Sequence, residues 1–326
     1  MEHLAGKRNL WFAISGVMLI PSILALAIWG LQFGIDFTGG SAWEVQYTAD
    51  VSTEDIAAVL AENGRPEVTV QQVGDSDEHR YLIRLKELPE GSAEKAQITE
   101  SLGSLGQLVP EGEALETVGA SVGASIRNRS VFAVLAASVG ILLYIAYAFR
   151  NTQSPMLYGT CAIAAMVHDA LIVLGIFAIL GKFWDVEVDA LFITALLTII
   201  GFSVHDTIVV FDRIRENLGT SPDEEFESIV NYSIAQTIVR SINTSLTVVI
   251  TLLALLLFGG STTREFVLAL LIGIVVGTYS SIFNASQLLV AWEKGEIQRF
   301  VRKIGSFGRS TEAKSVPSRG RSRSKN

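Results

Sequence analysis

The sequence predicts a polytopic membrane protein of six transmembrane helices bearing one small α+β domain of ferredoxin-like type outside the membrane. Three observations carry that expectation. Hydrophobic residues fill 49% of 326 positions and charged residues only 18%, with a mean hydropathy of +0.41, a balance that soluble domains rarely show. Six apolar runs have the length that a bilayer crossing needs. Between the first and second runs lies a long acidic stretch with strand-like and helix-like periods.

The first run, Leu10 to Leu31, is long enough to span; "ALA" at 25–27 mimics a signal-peptidase box, but the run is long for a signal peptide, so an anchored helix is expected. In the stretch that follows, "SAWEVQYT" alternates Trp43, Val45 and Tyr47 with polar neighbours, as a half-buried strand does. "STEDIAAVLAEN" has Ser52 and Asp55 spaced as a capping box, then Ile56, Val59 and Leu60 at helical spacing. "EVTVQQV" and "HRYLIRLKEL" read as strands across a turn, 92–106 as a second helix and "EALETVGA" as a last strand. The resulting order β-α-β-β-α-β is that of a ferredoxin-like domain. Five further apolar runs follow, near 131–149, 157–181, 189–211, 236–258 and 264–291.

Charge sets the orientation. Under strict alternation Lys7, Arg8, Arg150, Arg213, Arg215 and the basic tail share one side, while Lys182 and Arg264 face the other. The first side is the cytoplasm by the positive-inside bias, so both termini are placed there. The expected layout is a cytoplasmic N-terminus over 1–9, a first span over 10–31, the external domain over 32–128, spans two to six within 129–292 with a cytoplasmic connector at 212–235, and a basic tail over 293–326. In the connector, Ser221 and Pro222 read as a helix start. From Asp36 to Ala120 there are 17 acidic residues against 5 basic, and from Lys294 to Asn326 there are 10 basic against 2 acidic. The Ser- and Arg-rich tail reads as disordered, a topogenic segment or one that touches anionic lipid, ribosome or RNA, with no nucleic-acid function expected of the chain. Cys161, the lone cysteine, lies in an apolar run and reads as packing.

Ionisable residues inside apolar runs are the candidates for chemistry, because an aspartate at mid-bilayer costs about 2.5–3.5 kcal/mol on insertion scales and marks a partner or a task. These are His168, Asp169, His205, Asp206 and Arg240, with Asn243 and Asn284 beside them. Asp206 lies about 9 Å from the cytoplasmic end of its helix, and Arg240 lies at similar depth on the next, antiparallel one. The pair reads either as a permanent ion pair or as a protonation site whose carboxylate Arg240 approaches and leaves. His168 and Asp169 point about 100° apart on a helix and are not expected to face one spot. They suggest a polar path between the third and fourth spans, or residues bonded to nearby carbonyls and hydroxyls. "VHDALIV" and "VHDTIVV" repeat a heptapeptide, but on helices of opposite direction. No His-x-x-x-His spacing supports a metal site. Gly273 and Gly277 form G-x-x-x-G, with Ser281 and Ala285 extending a small-residue stripe suited to packing within the bundle. "GIDFTGG" at 34–40 reads as a turn seating the domain on the first helix, with Asp36 placed to cap or to bind a cation. The external domain has no phosphate loop, nucleophile elbow or paired-carboxylate motif, so no catalytic residue and no enzyme activity are expected.

"GIDFTGG", "GFSVHDTIVVFDRIREN", "QTIVRSINTSL", "FGG" and "GTYSSIFNAS", in that order, resemble the SecF family of protein-export subunits. The resemblance implies an RND-like half that works with SecD beside the SecYEG channel, with YajC- or YidC-type proteins as further neighbours, and that uses the proton-motive force to aid preprotein export. It implies that Asp206 is the family's intramembrane carboxylate, that Arg240 is its arginine, and that Asp36, Phe37, Thr38, Gly39 and Gly40 are its signature at the domain base. His205 stands where many relatives carry Asn, and "SVGASIRN" lacks the usual proline. No bound cofactor is implied beyond the proton gradient, with sodium as an alternative, since Ser, Thr and Asn oxygens near a carboxylate suit that ion. The other classes left open are a proton-coupled small-molecule exporter half of RND type and a purely structural subunit.

Overall fold

The computed structural model describes residues 5–73, 76–150, 152, 154–297 and 299; the basic tail lies outside them. Six helices are long and apolar enough to cross a membrane. They are α1 (Arg8–Ile28), α5 (Ala120–Ala148), α6 (Pro155–Trp184), α7 (Ala190–Thr220), α8 (Phe226–Phe258) and a sixth that runs as α9 (Arg264–Ser280), a π turn (Ser281–Ala285) and α10 (Ser286–Glu293).

Between α1 and α5 the chain forms a one-turn helix α2 (Ile35–Thr38), then β1 (Gly40–Gln46), α3 (Thr53–Glu62), β2 (Thr69–Val73), β3 (Arg80–Leu85), α4 (Ala93–Gly103) and β4 (Ala114–Val118). The sheet order is β2-β3-β1-β4, with every neighbouring pair antiparallel. That is the ferredoxin-like arrangement, in which each helix crosses over one strand. Alternation decides which face is buried: Trp43, Val45, Tyr81 and Ile83 point at α3 and α4 and meet Ile56, Leu60, Ile98 and Leu102 in one core. Ser52 does cap α3, but through the Glu54 N–H at 3.2 Å rather than through a box with Asp55. Ser92 caps α4 through the Lys95 N–H.

Three helices outrun their apolar sequence. α5 begins at Ala120, inside the stretch expected to be the external domain, and carries Arg127 and Arg129 on its extra turns. α7 and α8 extend toward each other through the expected connector and leave only residues 221–225 as a turn. Pro222 therefore does not start a helix. It disfavours helical backbone at Ser221, whose N–H makes the last bond of α7 to the Asn217 carbonyl, and α8 begins at Phe226.

Close helix contacts rest on missing side chains. A Cβ at Gly175 of α6 would overlap the Ser22 backbone of α1, and one at Gly273 of α9 would overlap the Ile199 side chain of α7. A Cβ at Gly277 would lie 3.1 Å from Ser203 Cβ. The G-x-x-x-G face is thus turned onto α7 inside the bundle. At the end far from the sheet, Arg8 bonds Glu296 and Glu227, and Lys294 bonds Glu225 and Glu227, joining the ends of α1, α8 and α10.

Replacing Gly175 with Ala is expected to lower stability by about 1–3 kcal/mol through overpacking against Ser22. Gly16→Ala, where a Cβ meets nothing within 4 Å, should be neutral or slightly stabilising through helix propensity. Thermal denaturation of the two variants in one detergent checks the pair.

Candidate functional site

Half-way along the bundle, where apolar packing would suffice, four helices present polar groups to one another. His168 and Asp169 lie next to each other on α6, and the imidazole folds over so that Nδ1 is 2.9 Å from Asp169 Oδ1. This corrects the expectation that the two would diverge. Their Cα–Cβ bonds do diverge, but an imidazole and a carboxylate are long enough to meet beyond them. The other carboxylate oxygen of Asp169 accepts the Ser203 hydroxyl of α7 at 2.6 Å, so a polar link between the third and fourth spans exists. Ser281, in the π turn, has its hydroxyl 2.9 Å from the Ser203 carbonyl, and Thr207 Oγ1 lies 3.1 Å from Ser281 Oγ. The widened turn that brings Ser281 and buried Asn284 inward is a device often found at functional sites.

Asp206, three residues beyond Ser203, is 7% exposed. Its Oδ1 accepts the Ser241 hydroxyl of α8 at 2.6 Å, whereas its Oδ2 is buried without a partner among the described residues. Ser241 belongs to a buried Ser/Thr stripe at helical spacing, Ser233, Thr237, Ser241 and Ser245, which bonds α7 at Asn217 and α9 at Thr278. Sequence reasoning missed these hydroxyls. Their signal was the i, i+4 recurrence on α8 and the 203/207 pair on α7.

Arg240 lies at the depth expected of it, next to Ser241, but not in the expected pair. No ion pair joins it to Asp206 among the described residues, and its side chain is exposed on the outer surface of the bundle. The reason is azimuth: Ser241 is turned to Asp206, and its neighbour is about 100° further round the helix. Asn243, Thr244, Thr247 and Thr251 share that exposure, interspersed with exposed Val239, Ile242, Leu246 and Ile250. His205 is likewise exposed and lies outside the buried cluster.

The turn at 34–40 sits at the sheet end of the bundle. Asp36 Oδ2 accepts the Ala190 N–H at the start of α7 at 2.9 Å, beside Asp189, which accepts the Phe192 N–H at 2.7 Å. Phe37 enters the bundle core, Thr38 Oγ1 donates to the Gly34 carbonyl, and Gly39 and Gly40 have φ of 74° and 127°. Nearby, Glu187 pairs with Arg84 of β3 at 2.7 Å. Burial raises the Glu187 carboxyl above its usual range, and Arg84 opposes the shift.

Residues 97–295 match the family model described as protein export membrane protein SecD/SecF, C-terminal. The SecF protein translocase subunit of Thermobaculum terrenum is 52% identical over 91% of this chain and 95% of its own length. The chain belongs to the SecF family. The Anaerolinea thermophila SecF subunit is 41% identical over 93% of this chain and 98% of its own. The crystal structure of Thermus thermophilus SecDF, a translocon-associated membrane protein, superposes with a TM-score of 0.76 at 36% identity over 89% of this chain. This chain spans 38% of the length of that SecDF chain. The protein is therefore a multi-pass membrane subunit of the protein translocase, a transport component with an RND-like fold.

Ser203→Val should leave an Asp169 oxygen without its donor in a dry interior and cost about 1–3 kcal/mol. His205→Ala, at an exposed position, should change stability by less than about 0.5 kcal/mol. Denaturation of both in detergent micelles measures the contrast.

Proposed function

We propose that this SecF-family subunit, paired with SecD, uses the proton-motive force to promote preprotein movement through the SecYEG channel, and that Asp206 takes up and releases the coupling proton. The observation that carries this reading is the bare Asp206 Oδ2. A carboxyl oxygen held dry with no donor is costly as an anion and is satisfied by a proton. Its sister oxygen is fixed by Ser241, so the proton-accepting atom is presented in one orientation.

Adjacent residues on α8 supply the two states. With Asp206 protonated, Ser241 is a sufficient partner. With Asp206 ionised, a turn of α8 by about 100° brings Arg240 to the carboxylate in its place. Protonation is thereby converted into movement of α8 and of α7, which carries Asp206, against each other. Asp169, with His168 on one oxygen and Ser203 on the other, forms a second proton-holding group, and the Ser281–Thr207 hydroxyls extend from it along α7. His205 sits one residue from the site, on the exposed side of α7. The proton, rather than sodium, suits the site, because among the described residues Asp206 has one hydroxyl partner, whereas hard cations are held by several oxygens.

The exposed Arg240 and Asn243 side chains of α8 are costly to face with lipid. They fit the membrane helices of SecD. The basic end of the bundle, with Arg8, Arg150, Arg213 and Arg215, faces the cytoplasm together with both termini, so the α+β domain faces outward, where preprotein emerges. The basic tail contacts anionic lipid, and YajC- or YidC-type proteins are further neighbours.

Preprotein translocation into inverted vesicles containing this protein, SecD and SecYEG tests the reading. A proton gradient should stimulate export with the native protein and fail to do so with Asp206→Asn, whereas a sodium gradient alone should have no effect. Equal stimulation of native protein and variant would reduce Asp206 to a packing residue.

A further inference from the structure

The signature turn at 34–40 is left unexplained by proton uptake at Asp206, yet it touches the helix that carries that residue. Asp36 Oδ2 accepts the N–H of Ala190, the first residue of α7. Asp206 lies sixteen residues further along the same continuous helix, about 24 Å away. Asp189, the local cap, serves the Phe192 N–H; the second carboxylate, brought from 154 positions away in the chain, serves another N–H of the first turn and in doing so ties α7 to the turn at 34–40.

The contact does not stand alone. Val188, just before α7, donates its N–H to the Gln32 carbonyl at 2.7 Å and accepts the Gly34 N–H at 3.0 Å. Glu187 then pairs with Arg84 on β3, and Arg84 also donates to Gln71 on β2 at 2.7 Å. Contacts at residues 187, 188 and 190 thus fasten the start of α7 to the domain and to the turn below it. The turn itself has little freedom to yield. A Cβ at Gly39 would lie 2.7 Å from Ala120 Cα on α5, and one at Gly40 would lie 2.8 Å from the Leu85 carbonyl at the end of β3. A Cβ at Gly123 of α5 would lie 2.9 Å from Gly39 N. Phe37 anchors the same turn in the bundle core. The backbone of the turn is therefore pressed between α5, the head of α7 and the sheet, with no side-chain layer to absorb motion.

We infer that this turn is a mechanical junction, and that Asp36 is the positioning residue through which displacement of α7 reaches the α+β domain. The inference rests on the reading of Asp206 as the coupling residue. It gives the Asp36 carboxylate a task other than binding a cation: it holds the end of the helix whose middle senses the proton. The Arg84–Glu187 pair carries the same displacement directly into β3.

The test uses the full chain with SecD and SecYEG in vesicles. Spin labels at Glu62→Cys on α3 and Lys182→Cys at the end of α6 report the distance between domain and membrane part, and preprotein export is followed in parallel. Imposing a proton gradient should shift the label distance in otherwise native protein. Asp36→Leu should abolish that shift and the gradient-stimulated part of export while leaving gradient-independent export unchanged. Asp36→Asn, which keeps an acceptor oxygen for Ala190, should restore most of both. Glu187→Gln, a milder change at the parallel contact, should reduce the shift and serves if Asp36→Leu does not assemble. A full shift in both Asp36→Leu and Glu187→Gln overturns the inference, as does a proportional fall in gradient-dependent and gradient-independent export. If the native protein itself shows no shift and no stimulation, the proton-coupling reading has failed instead.

Discussion

Asp206 holds one oxygen against the Ser241 hydroxyl and leaves the other bare inside the bundle, and the surrounding structure is built around tolerating that. Among the described residues no cation makes a direct ion pair with Asp206. Arg240 is one residue from the partner that is used, and it is turned outward. An isolated buried charge is costly enough that the group neutralises or its surroundings rearrange. A coupling site has use for both outcomes, whereas a static ion pair would suppress each of them.

The helices around Asp206 are joined by hydroxyls more than by charges. Ser203, Thr207, Ser241, Ser245, Thr278 and Ser281 link α7, α8 and the sixth span through short side chains. Such bonds satisfy polar groups in lipid at about 1 kcal/mol each, enough to set register without freezing it. Glycine-lined contacts complement them. Gly273 and Gly277 let α9 lie close along α7, on smooth surfaces with few side chains to disengage. At the far end of the bundle the Arg8, Glu227, Lys294 and Glu296 network holds the ends of α1, α8 and α10 together.

The charged residues that matter were legible in the sequence because charge inside an apolar run is conspicuous. Asp206 and Asp169 stood out on that ground, and the alternation of Trp43 and Val45 and the helical spacing of Ile56 and Leu60 outlined the domain. What depth counting could not give was direction around a helix axis. Arg240 and Ser241 share a depth but not a face, and the face was decided by where the Ser/Thr stripe of α8 could pack. Serines in membrane helices are commonplace, so Ser241 drew no notice until its partner was known. The cap that Asp36 places on α7 had no local signature, since its acceptor and donor lie 154 residues apart. The lengths of α5, α7 and α8 were underestimated because apolar runs report the bilayer, whereas helices continue past it wherever the backbone has no reason to stop. Pro222 supplied that reason for α7.

In the proposed cycle the Asp206 carboxyl gains and loses a proton. Infrared difference spectroscopy of the reconstituted protein, cycled between two pH values, addresses it directly, because a protonated carboxyl in an apolar setting has its own carbonyl band. A reversible band that is present in the native protein and absent from Asp206→Asn is the predicted result. A difference spectrum identical in the two proteins, with every carboxyl band assigned elsewhere, would contradict the account.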